Sequence, residues 1–228
     1  MIDLALGKPS PSNPGGLPVL HPITPMTLRG QYIHLAPLEQ HHLASLVGAA
    51  SADPTLYQWS PVPQGKEEAA DYIATALRWQ GAGHALPFAI IREHDGAFVG
   101  STRFWNIEYW AWPPGHKRHG RNLPDACEIG HTWLTRSAIR TAANSESKFL
   151  MLTHAFETWG VLRVCLHTDA RNFRSQKAIE RIGGKREGIL RSHRLAADFT
   201  PRDSARYSII ASEWPGVKER LSRLLYHG

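Results

Sequence analysis

The chain predicts an α/β fold, of the α+β kind, and three observations carry that prediction. From Glu128 to Arg191, apolar stretches of strand length alternate with amphipathic helical stretches, with no long loop between them. Ahead of that unit, Phe88 to His94 and Ala97 to Thr102 flank Asp95-Gly96, a hairpin pattern whose Asp-Gly pair suits a tight primed turn. The composition is that of a packed globular chain, 42% hydrophobic and 20% charged with eight Trp, and 228 residues suffice for one sizeable core.

The elements follow in order. Residues 1–25, rich in Pro and carrying Gly15-Gly16, read as an irregular tail, and 26–228 as a single domain. Leu28 to Pro37 is the first predicted strand, through Leu28, Tyr32, Ile33 and Leu35. Glu39 to Ala50 has helical composition, and Pro54 to Pro63 is a broken, aromatic-bearing connection. Glu67 to Gln80 reads as a helix, with Ala70, Ile73, Leu77 and Trp79 marking much of one side. After the hairpin, Trp105 to Pro124 interrupts the pattern with Trp110-Ala-Trp112-Pro-Pro-Gly and His116-Lys-Arg-His119, an insertion (about 106–125) between strands.

Ala126 to Thr135 is the next strand. From about Ala143 to Trp159, Phe149, Leu152, Phe156 and Trp159 fall on one helix face, and Gly160 stops the helix. Leu162, Val164 and Leu166 alternate with Arg163, Cys165 and His167 at strand period. Asn172 can cap the following helix, whose Ala178, Ile179 and Ile182 face the core and which ends at Gly183. Lys185 to Arg191 and Arg206 to Ala211 complete the strands, with Phe199 to Asp203 as the turn between them, and Val217 to Leu225 closes the chain as a helix.

The net charge is +6, with basic residues scattered except at His116–His119. That balance suits an anionic small molecule and matches no nucleic-acid-binding module, so nucleic acid is not an expected partner. Cys127 and Cys165 lie apart without a CxxC spacing and read as reduced, buried thiols. No apolar run approaches the roughly 18 residues of a membrane span, and 1–25 lacks the basic start and apolar stretch of a signal peptide. The cytoplasm is the expected compartment. The histidines show no ligand spacing with Cys or carboxylates, so no metal is expected.

A helix start directly after a strand presents unpaired N–H groups and a partial positive charge, a ready site for phosphate. Arg140 to Asn144 occupies such a junction in small residues, with Arg140 and Lys148 adding charge. It has neither the GxxxxGK[ST] nor the GxGxxG pattern.

The turn belongs to a longer series: Glu128-Ile-Gly130, Trp133-Leu134, Arg140–Lys148, His154-Ala-Phe156, Asp169-Ala-Arg-Asn172-Phe-Arg-Ser175, Ala178-Ile-Glu and Gly183-Gly184-Lys-Arg-Glu-Gly188. In that order these resemble the GNAT superfamily of N-acetyltransferases, specifically the branch with the Rim-type (RimJ/RimL-like) ribosomal-protein N-acetyltransferases. The similarity covers roughly Leu28 to Ser212. It implies a mixed sheet of about seven strands, split by a V-shaped opening that holds acetyl-CoA and flanked by helices. It also implies direct acetyl transfer in a ternary complex to an amine, either a protein N-terminus or a small molecule; the alternative is a catalytically inactive CoA-binding or interaction module of the same fold.

By the same resemblance the pyrophosphate cradle falls on Ile139, Arg140, Thr141, Ala142, Ala143, Asn144 and Ser145. Many relatives carry Arg-Gly-x-Gly there; here Ala142 takes a Gly place, tolerable at negative φ and costly at positive φ. Leu134 and Thr135 are placed to pair with the pantetheine arm, where a free N–H would polarise the thioester carbonyl. Asn172 stands at a cofactor-contacting position, and Ser175 matches a hydroxyl that protonates the leaving CoA thiolate. For the base that takes the amine's proton, Glu128, His131 (on the opposite strand face from Glu128) and His193 are the candidates. The 106–125 insertion and the Tyr57–Pro63 connection are expected to shape the acceptor side, and edge strands with many Trp suit a homodimer.

Overall fold

The structure, a computed structural model, describes residues 23–196 and 198–226. The tail expected over 1–25 therefore lies almost wholly outside the described residues; at its end Ile23, like Met26 just beyond, packs on the core. The strands are β1 (Leu28–Arg29), β2 (Ile33–Pro37), β3 (Ala85–Arg92), β4 (Phe98–Glu108), β5 (Ala126–Leu134), β6 (Arg163–Asp169), β7 (Lys185–Leu195) and β8 (Pro201–Ile210). The helices are α1 (Leu43–Ser51), α2 (Gly65–Gly81), α3 (Ala143–Thr153), α4 (Phe173–Arg181) and α5 (Trp214–Tyr226). All eight strands form one mixed sheet in the order β1-β2-β3-β4-β5-β6-β8-β7, one more than expected because Gly30 to Tyr32 turns the first predicted strand into two.

The sheet has an apolar layer on each face. Leu38, Leu46, Tyr57, Tyr72, Ile73 and Trp133 build the layer under α1 and α2. Met151, Leu152, Trp159, Ile179, Trp214 and Leu221 build the other, under α3, α4 and α5. The helical segment predicted to end at Gly160 does so, but its last turn, His154–Trp159, is a π-helix, and Gly160 closes it at φ 65°.

Three local expectations are corrected. The hairpin turn is not a two-residue primed turn: Arg92 and Ala97 pair across a four-residue loop in which Gly96 takes φ 66°, while the Asp95 carboxylate accepts from Arg92 and the Ala97 amide. β4 runs on to Glu108, past the expected Thr102, so the insertion starts later. The last turn falls before Pro201 rather than over 199–203, because the Ala196 amide bonds the Thr200 carbonyl and lets β7 and β8 extend toward each other. The insertion joins the ends of β4 and β5 that pair Glu108 with Ala126, the far end of β5 from residues 135–145.

There the buried Asp125 carboxylate gathers the Trp110 amide, the Trp112 indole and Arg118, while Arg118 and Arg121 bond the carbonyls of Gly160 and Trp159. Arg118 of the basic cluster thus caps a helix end, a use of side chains that sequence spacing does not reveal.

Candidate active site

β5 and β6 pair over only Ala126↔Arg163, Cys127↔Val164 and Glu128↔Cys165. Beyond Glu128, β5 stays with β4 while β6 stays with β8, so the sheet opens into a V. A bulge marks the point of departure. β5 has one extra residue between Gly130 and Trp133, facing Arg103 and Ser101, and His131 sits there at φ 52°.

The open end of β5 leads into the predicted anion site. Arg136–Ala138 makes one 3-10 turn, and α3 starts at Ala143 with Ala142 at its N-cap. Thr141 Oγ1 donates to the Ala138 carbonyl and accepts from the Ala143 amide, which folds the turn on itself. Among the described residues the amides of Arg140, Thr141, Ala142, Asn144 and Ser145 donate to nothing, so five N–H groups meet at one helix start. Ala142 has φ −64°, so an Ala in the Gly place carries no conformational penalty there. The left-handed residue is Arg140, at φ 63°.

Two expected contributors stand elsewhere. Lys148 does not face the turn: it is buried between sheet and helix, with Nζ 2.7 Å from Thr132 Oγ1 and 3.1 Å from Thr102 Oγ1, and burial pushes it down to about 7. Thr135 follows the end of β5 and its amide is spent on the Val99 carbonyl, so it supplies no free donor to a thioester. Leu134 pairs in register with Gly100, on a strand whose other edge faces the gap.

Sequence reasoning missed Glu146, in the first turn of α3. Its fully buried carboxylate accepts from the amides of Gln31, Tyr32 and Ile33 and from the Tyr226 hydroxyl, each at 2.8 Å. The β1–β2 turn fits because Gly30 has no side chain: a Cβ there would lie 2.4 Å from the Glu146 carboxyl carbon. An acidic residue inside a buried helical run was the one local signal.

Glu128, His131 and His193 gather at the throat of the V, where β5 and β6 part. The Glu128 carboxylate, buried on β5, accepts from Arg194 at 3.1 and 2.9 Å, and His167 Nδ1 lies 3.0 Å away but out of line for a hydrogen bond. Burial alone would push Glu128 up, but Arg194 and His167 hold it well below the usual carboxylate range. Glu128 is thus an ionised, committed ion-pair partner, poorly set to take a proton. His193 is half-buried rather than on the surface. It lies 5.1 Å ring to ring from His167, has no partner at Nδ1 among the described residues, and is lowered to about 4 by burial, Arg194 and His167.

His131 is not on the opposite face. The bulge turns its ring onto Trp105, which pairs with Glu128, and burial with Arg103 and Arg194 nearby keeps it neutral. Asn172 caps α4, its Oδ1 accepting from the Ser175 amide at 3.0 Å, and the Ser175 hydroxyl is bonded to nothing among the described residues. Trp59, in the connection after α1, lies under Arg171, whose guanidinium forks onto buried Asp169.

His42, His131, His154 and His193 are all lowered, with burial as the leading cause. Between pH 6.5 and 5 the unfolded chain therefore takes up protons that the folded chain refuses, and stability falls as pH falls. The urea midpoint is expected to drop from about pH 7 to about pH 5, and His193→Gln to flatten that slope; a midpoint constant over that window would contradict the burial of these rings.

A mixed sheet splayed past its central parallel pair, with free amides at the open strand end, defines an acetyltransferase fold. The chain belongs to the GNAT acetyltransferase family: the family model for the acetyltransferase (GNAT) domain matches residues 33–185. A protein from T. thermophilus assigned as an acetyltransferase is 32% identical, with TM-score 0.71 over 90% of this chain and 99% of that one. A GCN5-related N-acetyltransferase from Brucella melitensis shares the fold at 24% identity and TM-score 0.76, over 90% and 87%. Mycobacterium smegmatis RimJ, solved with CoA-disulfide, does so at 22% and 0.70, over 89% and 95%. No curated protein matches the chain. Among the described residues no helix is long and apolar enough to cross a membrane.

Proposed function

We propose that this chain is a Rim-type N-acetyltransferase that moves the acetyl group of acetyl-CoA directly onto a primary amine. The observation that carries the reading is the set of unbonded amides between Arg140 and Ser145, at the end of the strand that borders the V. They would receive the diphosphate, with the positive end of α3 behind them. Leu134, on the free strand edge, would align the pantetheine arm, and Asn172 would meet it from the cap of α4.

In the transfer, the acceptor nitrogen bonds the acetyl carbon, the carbon–sulfur bond breaks, the amine loses a proton and the thiolate gains one. Ser175 would give that proton. Between the candidate bases, His193 has the unpartnered ring nitrogen and is neutral at physiological pH. It is a weak base, which suffices for a proton made acidic by attack on the carbonyl. Glu128 acts through what it holds, fixing Arg194 and His167 beside His193. Both thiols are buried and unpaired, so neither is offered as a nucleophile.

Acetyl-CoA is expected to raise the melting temperature, and addition of amines to release free CoA thiol. Ser175→Ala should lower kcat roughly 100-fold with little change in the KM for acetyl-CoA; an unchanged kcat removes Ser175 from the reaction. No thermal shift at saturating acetyl-CoA would refute the reading.

A further inference from the structure

Arg103, in the middle of β4, is fully buried, and its Nε, Nη1 and Nη2 all lack a hydrogen-bond partner among the described residues. Proteins do not deprotonate a guanidinium, and an unpaired buried charge is among the costlier features a fold can hold. Its surroundings soften that cost only in part: its carbon lies 4.9 Å from the Tyr72 ring centroid and 5.5 Å from that of Trp79. Rings over the carbon stabilise a cation, but they accept none of the in-plane N–H donors.

The place of Arg103 in the sheet says which face it occupies. It pairs directly with Gly130, and Trp105 pairs with Glu128, so all four positions share the α2 face at the throat of the V. Gly130 puts no side chain opposite Arg103, and the Glu128 carboxylate leans over it, with Oε1 3.2 Å from where a Cβ on Gly130 would stand. Glu128, two residues earlier on the same face, is already held by Arg194. His131, neutral, closes the box against Trp79 and Trp105.

The same face carries two more buried donors without acceptors among the described residues, Trp133 Nε1 and Tyr57 Oη. Their rings meet edge to face at 5.7 Å, and Trp133 pairs with Ser101, the next inward position to Arg103. Burial and Asp53 push the Tyr57 hydroxyl up, so it stays a donor. A row of orphaned donors beside the acyl-transfer throat is complementary to a ligand that brings acceptor atoms and negative charge.

We infer that the acceptor amine carries a carboxylate, and that Arg103 is the residue that receives it. The inference rests on the acetyl-transfer reading and sharpens its acceptor class. A carboxylate fits better than a spherical anion, because a planar group can use the in-plane fork left between the rings. Two sources share this chemistry: a free amino acid, and a peptide N-terminus with Asp or Glu in its first two residues.

The test compares isosteric pairs of acceptors, with wild type and Arg103→Met assayed at saturating acetyl-CoA. The probes are free amino acids against their α-amides, and short peptides beginning with Asp or Glu against those beginning with Asn or Gln. In wild type the carboxylate member of one pair should win by on the order of 100-fold in kcat/KM, and the winning pair identifies the source. Arg103→Met should erase that preference through KM while leaving acetyl-CoA binding intact. Removing an unpaired buried charge should also raise its melting temperature, so loss of the preference cannot be ascribed to misfolding.

As a binding readout independent of turnover, millimolar succinate should stabilise wild type and not Arg103→Met. Equal rates on both members of every pair, no turnover of any carboxylate amine, or a preference that survives in Arg103→Met would each overturn the inference. Failure of acetyl-CoA to bind at all would instead overturn the functional reading beneath it.

Discussion

Replacing Ala142 by Glu is expected to abolish acetyl-CoA binding and leave the fold intact. Ala142 sits at the N-cap of α3, half-buried and at a negative φ that any residue adopts. A carboxylate at a helix start is favourable by itself, by about 0.3–1 kcal/mol. The same position borders the five free amides. There a second negative charge about 4 Å from a phosphate costs about 4 kcal/mol near a protein surface, on the order of 1,000-fold in affinity. Titration calorimetry should therefore show no heat from acetyl-CoA with a melting temperature at or above wild type. Ala142→Gly should bind as wild type does. Micromolar affinity in Ala142→Glu would mean that the diphosphate lies elsewhere.

The second large effect is expected at Glu146, where the variant is Gln. The carboxylate oxygens each take two donors: Gln31 amide and Tyr226 hydroxyl on one, Tyr32 and Ile33 amides on the other. An amide keeps one acceptor oxygen and turns an NH2 toward the remaining pair: one orientation strands the Tyr32 and Ile33 amides, and the other strands the Gln31 amide while the Tyr226 hydroxyl turns round to accept. Hydrogen bonds to a charged group contribute about 1.5–3 kcal/mol each, and a loss of roughly 3 kcal/mol in unfolding free energy follows for Glu146→Gln. Tyr226→Phe removes one donor and should cost about half as much.

Glu146 also ties the first turn of α3 to the β1–β2 turn and to α5, so Glu146→Gln should weaken acetyl-CoA affinity along with stability. Urea unfolding with and without acetyl-CoA measures both. A stability within about 0.5 kcal/mol of wild type, the ordinary range for surface changes, would show that the carboxylate does not hold these elements.

Local rules located the parts of this molecule that obey them. Phe149, Leu152, Phe156 and Trp159 recur at helical spacing, and the chain is helical there. Gly160 and Asn172 stop and cap helices because a left-handed residue and a side-chain acceptor are local needs. The turn with its unbonded amides was legible for the same reason, since a strand end followed by small residues and a helix start is a contiguous pattern. Element ends were less legible. β4, β7 and β8 run beyond their predicted limits because pairing with a neighbour strand, rather than their own composition, decides where a strand stops.

By itself the amino-acid order determined the family, the succession of strands and helices, and the strand-to-helix turn whose amides stand unbonded, because each is written in neighbouring residues. Only the tertiary structure decided the electrostatics of the V. It put Arg194 and His167 on Glu128, turned His131 through a bulge onto the Trp105 face, buried Lys148 away from the turn, and left Arg103 without a counter-charge. Those outcomes depend on partners such as Arg194, which is 66 residues from Glu128. A charge's pairing and burial are fixed by whatever the fold brings near it, and no local spacing encodes that.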